Sequence, residues 1–149
     1  MYFFQDVLPS NPFQSIEFSK RIQEVSPQFS IIYNQAAQAE NERLLEICGL
    51  GYRKSIEFLV KDYAARNNPN DIATIQAMPL SQCISKYISS KNVQTVASRV
   101  VWLGNDHAHY IVKHTDKDLD DLKALVSLTV KWIDMELETE EVLAIQPVK

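Results

Sequence analysis

Apolar residues return every three or four positions through most of this chain, the period of a helix laid against a core. Phe29, Ile32, Tyr33 and Ala36 share that spacing. Ser26-Pro27 stands just ahead of them. Ser caps free helix N–H groups and Pro is preorganised for the first helical position. A first helix is therefore predicted from there to about Ala39, with a break at Asn41. The next pattern, Arg43 to Arg66, carries the clearest stripe: Leu45, Cys48, Tyr52, Ile56, Leu59 and Tyr63. Arg53, Glu57 and Lys61 lie four residues apart on another side, where opposite charges support a helix. Gly49 and Gly51 sit inside this pattern at about 1 kcal/mol each relative to Ala. Close approach of another helix explains such a cost. No strand precedes Gly49 and no Lys-Ser/Thr pair follows Gly51, so this is not a phosphate loop.

Asn67-Asn68-Pro69-Asn70 reads as a loop, and Asp71 caps a short turn after it. Leu80 to Ile88 predicts a modest helix with Cys83, Ile84 and Ile88 inward. Ser89 to Asn92 turns the chain into a further helix, Val93 to about Leu103, with Val93, Val96, Ala97, Val100 and Val101 as its small apolar residues. Gly104 is expected to end it in the C-cap position, where glycine is favoured. After a polar loop, Thr115 or Asp118 caps the last helix. Leu119, Leu122, Val126, Val130, Ile133 and Leu137 form its core stripe, widened by Leu125 and Trp132. Residues 1–25 follow no clean period and predict an irregular N-terminal arm, extended or with a short helix, packed over the rest. The domain spans 26–141, and residues 142–149 form a fraying tail.

Composition sharpens the fold class. The 149 residues hold only 3 glycines, where average usage gives about 10. Tight hairpins consume glycine, so the chain predicts an all-α fold, an antiparallel bundle of four to five helices. A chain of this length buries roughly 70% of its unfolded surface and does not depend on disulfides or metal for a core. Cys48 and Cys83 lie in apolar patterns and read as reduced, buried thiols. No stretch nears the ~18 consecutive apolar residues of a membrane span. The N-terminus lacks a signal-peptide pattern, so a cytoplasmic location is the default and no membrane partner is expected. Net charge is −4, which argues against a broad electrostatic grip on nucleic acid but not against a local one.

The segment Gly104-Asn105-Asp106-His107-Ala108-His109 concentrates the candidate chemistry. Its Asn-x-x-x-His spacing resembles the polar signature of HEPN-type helical domains, an Arg-Asn pair followed by His. Strings at 26–36, 51–63, 102–106 and around Trp132-Ile133 are similar to an uncharacterised bacterial branch grouped with those domains. The resemblance covers about residues 26–138. It implies a HEPN-like bundle in which active members cut RNA without metal, two protomers joining their segments in one composite cleft. His109 would then act as general base toward a ribose 2′-hydroxyl and Asn105 would orient it, the two catalytic candidates. The Arg that clamps the phosphate is replaced by Gly104, so the ribonuclease motif is degenerate. Asp106, His107, Tyr110, Arg53 and Lys54 are the candidate binding residues, the last two as substitute cations from the second helix.

These observations lead to a HEPN-like module associated with RNA or a nucleotide, without efficient cleavage, of the kind found in phage defence or toxin–antitoxin systems. Two alternatives stand beside it: an active metal-independent endoribonuclease whose cation comes from elsewhere, and a structural dimerisation or regulatory domain. The bland reading of the polar residues also stands. Asn105 satisfies a helix end, and His109 with Tyr110 forms a buried structural pair. His-x-His with His114 lacks a third ligand at fixed spacing, so no metal and no cofactor are expected. A two-fold homodimer is expected from the resemblance and the Gly49/Gly51 notch, with a partner protein as a further option.

Overall fold

The computed structural model describes residues 12–106 and 116–148. Among them are seven α-helices: α1 Lys20–Val25, α2 Pro27–Asn41, α3 Leu45–Asn67, α4 Ile72–Ala77, α5 Leu80–Tyr87, α6 Lys91–Asp106 and α7 Asp116–Leu143. A single 3-10 turn, Pro69–Asp71, links α3 to α4. No strand occurs among the described residues. The all-α expectation holds, while two of the seven helices are short pieces of six residues.

α2 and α3 form an antiparallel hairpin. Glu40 at the end of α2 accepts from Tyr52 near the start of α3, and Ser26 just before α2 donates to Asp62 late in α3. The turn between them has the hydrogen bonds of a Schellman close: Leu44 N–H to Ala39 O and Arg43 N–H to Glu40 O. Its left-handed residue is Arg43, at φ 61°, where glycine is the usual choice. α7 runs parallel to α3. Lys123 in its early turns meets Glu40, and Glu140 near its end meets Arg66 at the end of α3. α6 packs on both α3 and α7, and α1 lies across α2, α3 and the end of α7.

The core follows the predicted stripes closely. Cys48, Tyr52, Ile56, Leu59 and Tyr63 of α3 are buried, and so are all six predicted positions of α7 from Leu119 to Leu137. Phe18, Phe29, Tyr33 and Tyr52 stack edge to face in series. Each of the three buried rings, Phe29, Tyr33 and Tyr52, contributes roughly 1.5–3 kcal/mol from area alone. Gly51 fits the close-approach reading: a Cβ built there would lie 2.8 Å from the Ala36 Cβ. The space beside Gly51 is therefore filled by the chain's own α2.

Several expectations need correction. Leu45 is 43% exposed, because it stands at the mouth of the α2–α3 hairpin, before the first buried layer at Cys48. The Ser26 side chain does not cap α2; its hydroxyl donates to Asp62 instead. Gly104 does not end its helix. α6 continues through Asp106 and no described glycine has positive φ, so the residue costs helix propensity without providing a stop. The last helix reaches Leu143, beyond the predicted start of the tail. Of the two forms expected for the arm, the short helix is the one found at Lys20–Val25: α1 is begun by Ser19, whose hydroxyl accepts from Ile22 N–H.

Candidate functional site

One end of the bundle gathers the end of α2, the start of α3 and the start of α7. Here Tyr52, buried to 1% exposure by its place on the core stripe, points its hydroxyl at Glu40 and donates at 2.5 Å. Lys123 of α7 completes the group, 3.1 Å from one Glu40 oxygen and 3.3 Å from the other. Its ammonium also lies 5.9 Å from the Tyr52 ring centroid. Phe13, Ile16 and Ala37 join these three side chains around a cavity of about 340 Å³. The arm over it is held by one amide: Asn34 accepts from Ile16 N–H at 2.7 Å and donates to Ile16 O at 3.0 Å.

The protonation chemistry of this group is that of an anchor. Burial, reinforced by the hydrogen bond to Glu40, pushes the Tyr52 hydroxyl well above the ordinary tyrosine value. It is a fixed donor and no base. Burial and the Glu40 charge push the Cys48 thiol up as well, so the thiolate needed for nucleophilic attack is disfavoured. Burial raises Cys83 likewise. Both cysteines are free and buried, as the sequence predicts.

Asn105 and Asp106 end α6, with Gly104 one residue earlier. His107, His109 and Tyr110 lie outside the described residues, and so does His114. Arg53 and Lys54 sit beside Tyr52 on α3. Arg53 reaches Glu57 at 3.2 Å, and Glu57 also holds Lys61 at 3.2 Å, the predicted charged ladder. Lys61 further donates to Gln76 O and Met78 O, tying α4 and the turn after it to α3. Lys54 is exposed. Among the described residues no three His, Cys, Asp or Glu side chains gather as metal ligands. Nor is any helix among them long and apolar enough to cross a membrane.

The opposite end holds a polar cluster that the sequence reading missed. Arg21 of α1 reaches Asp134 at 3.0 Å, Glu141 at 3.3 Å and Glu138 at 3.5 Å, and Ser19 donates to Asp134 at 2.6 Å. The signal was present in the carboxylates at 134, 138 and 141, which share one face of a helix. A cavity of about 570 Å³ opens beside Arg21 and Arg66, with Glu24, Glu140 and Glu141 in its wall. Three carboxylates against two guanidiniums make it unsuited to a polyanion. Burial raises the Asp134 carboxyl, but hydrogen bonds from Ser19 and Arg21 outweigh it and hold the group below its ordinary value. A depressed carboxyl stabilises the fold above the unfolded-state value and loses that contribution as pH falls through the folded one. Asp134→Asn is therefore expected to lower the melting temperature at neutral pH and to converge on wild type in acid. Parallel melting curves across that range check it; a constant difference down to the lowest pH would remove the electrostatic account.

No family model, curated protein or solved structure matches the chain.

Proposed function

We propose that this protein is a HEPN-like helical module that associates with RNA and does not cleave it efficiently. The observation that carries the reading is the state of Arg53, the arginine expected to substitute for the missing clamp, and of Lys123 at the start of α7. Arg53 is ion-paired to Glu57, and Lys123 is held by both oxygens of Glu40. Neither stands ready to replace the phosphate clamp that Gly104 lacks. An interaction made with the transferring phosphoryl group is commonly worth a hundredfold or more in rate, so its loss without replacement leaves a binding module. The placement of Gly104-Asn105-Asp106 on the last turn of a bundle helix supports the same reading. Lys54, exposed on α3, supplies a cation able to meet a phosphate backbone.

Fluorescence anisotropy with a labelled single-stranded RNA tests the proposal. Binding is expected at low salt and is expected to weaken steeply as salt rises, since phosphate contacts release counterions. Lys54→Glu should weaken it at every salt concentration, while the RNA stays intact over hours of incubation. Rapid cleavage that survives chelator would favour the metal-independent endoribonuclease. No binding at low salt would leave the structural reading in its place.

A further inference from the structure

The face of α7 turned away from the core is not polar throughout. Leu128, Met135 and Val142 repeat every seven residues and are 41%, 53% and 57% exposed. Trp132, partly buried, and Thr139 fall between them, so the five residues step by four and three. This is the spacing of a helix seam that closes on another helix. The core stripe of α7 lies on the opposite side, from Leu119 to Leu137; Trp132 packs against the core, while Leu128, Met135 and Val142 stay exposed among the described residues.

Its charges indicate which partner fits. Exposed Lys131 and Glu138 lie on one flank of the seam, one heptad apart. In an antiparallel helix pair like flanks face each other. With a two-fold axis at Met135, position 135 + n meets position 135 − n of the other copy. Leu128 then meets Val142, the two Met135 side chains meet each other, and Lys131 comes level with Thr139, one residue from Glu138 and within reach of its carboxylate. In this antiparallel arrangement the flank is self-complementary. Glu138 also belongs to a set of three carboxylates with only Arg21 among them, which leaves negative charge for the second Lys131 to meet.

We propose that a second copy of this chain docks antiparallel on the Leu128–Met135–Val142 seam, with the symmetry axis at Met135. Such a dimer differs from one built around a shared cleft. At 1.5 Å of rise per residue, the two α7 starts at Asp116 lie roughly 55 Å apart. The two copies of the helix end at Asp106 then lie toward opposite ends of the pair, away from a shared cleft. Each copy presents its own helix end separately, in a two-fold assembly of the commonest closed kind.

A single-cysteine series tests the register, because Cys48 and Cys83 are buried. A disulfide needs Cβ atoms roughly 3.8 Å apart, which only a residue on the axis meets with its own copy. Met135→Cys is expected to oxidise to a covalent dimer, and Thr139→Cys is not. In sedimentation, Met135→Glu is expected to raise the dissociation constant at least about a hundredfold through like charges set face to face. Lys131→Glu should weaken the dimer, and Lys131→Glu with Glu138→Lys should restore it. Met135 is surface-exposed, so circular dichroism should show each variant folded. A chain that stays monomeric at about 100 µM, a level at which even weak specific pairs form, overturns the proposal, whether or not its α7 face then captures lipid vesicles or another protein. A dimer that Met135→Cys does not trap, or a double exchange that fails to restore pairing, overturns it as well.

Discussion

Tyr52→Ala is expected to destabilise the protein by about 4 kcal/mol, the range found for emptying a buried aromatic site. For a chain of this size that corresponds to a fall of roughly 12 °C in melting temperature. Two losses combine. The ring is 1% exposed and packs edge to face on Tyr33 at 5.0 Å between centroids, so its removal leaves a cavity. Its hydroxyl donates to Glu40, which Lys123 also engages, so its removal also unpicks a three-helix junction. Tyr52→Phe separates the two. It keeps the ring and should cost only about 1–2 kcal/mol for the hydrogen bond to a charged acceptor. Chemical denaturation of both variants checks the partition. A Phe variant as stable as wild type would mean that the Glu40–Lys123 pair needs no help from the hydroxyl.

Gly51→Val is expected to cost about 3 kcal/mol, although valine has the better helix propensity. Its Cβ would lie 2.8 Å from the Ala36 Cβ and 3.3 Å from the Ala36 Cα. The neighbour is main chain and a methyl group, neither of which can swing aside, so α2 itself must move. Ala36→Gly in the same chain should recover much of the loss, despite its own cost of about 1 kcal/mol in a helix. Recovery identifies the contact, because a glycine on α2 helps only if α2 is what the valine strikes. Wild-type melting in Gly51→Val alone would show that the helices do not approach so closely.

Both predictions rest on positions that periodicity marks. The α3 stripe, the α7 stripe and the glycine cost could be read from spacing, since a helix face and a core impose the same arithmetic on any sequence. What spacing could not give was depth. Leu45 belongs to the stripe by period yet is exposed, because it lies beyond the last buried layer, and a one-dimensional pattern carries no position along the bundle axis. Ser26 and Gly104 misled for a related reason. Capping preferences are local, and here a distant carboxylate, Asp62, recruits the Ser26 hydroxyl, while α6 carries on past its glycine. The Arg43 turn was hidden by residue type, since arginine gives no signal for a left-handed backbone.

The candidate site was legible as a list of residue types and only partly as a place. A helix leading to Gly104 was foreseen, though not its continuation through Asn105 and Asp106, and the charged ladder of Arg53, Glu57 and Lys61 is found as predicted. The Glu40–Tyr52–Lys123 junction was not foreseen. Its members are separated by 12 and 83 positions, and ion pairs between distant helices leave no periodic trace.

The Arg21 anchor also bears on the order in which the molecule assembles. Its bond to Asp134 spans 113 positions, so it forms only when nearly the whole chain has been closed into a loop, an entropic cost that grows with length. The α2–α3 hairpin, the most extensive helix pairing among the described residues, is joined by a turn of three residues, 42–44. Local pairing of that kind forms early, and closure by α1 follows. Contacts made after the rate-limiting step do not speed folding; they slow its reversal. The first helix thus serves as a bolt. It adds little to how fast the protein finds its fold and more to how long it stays there.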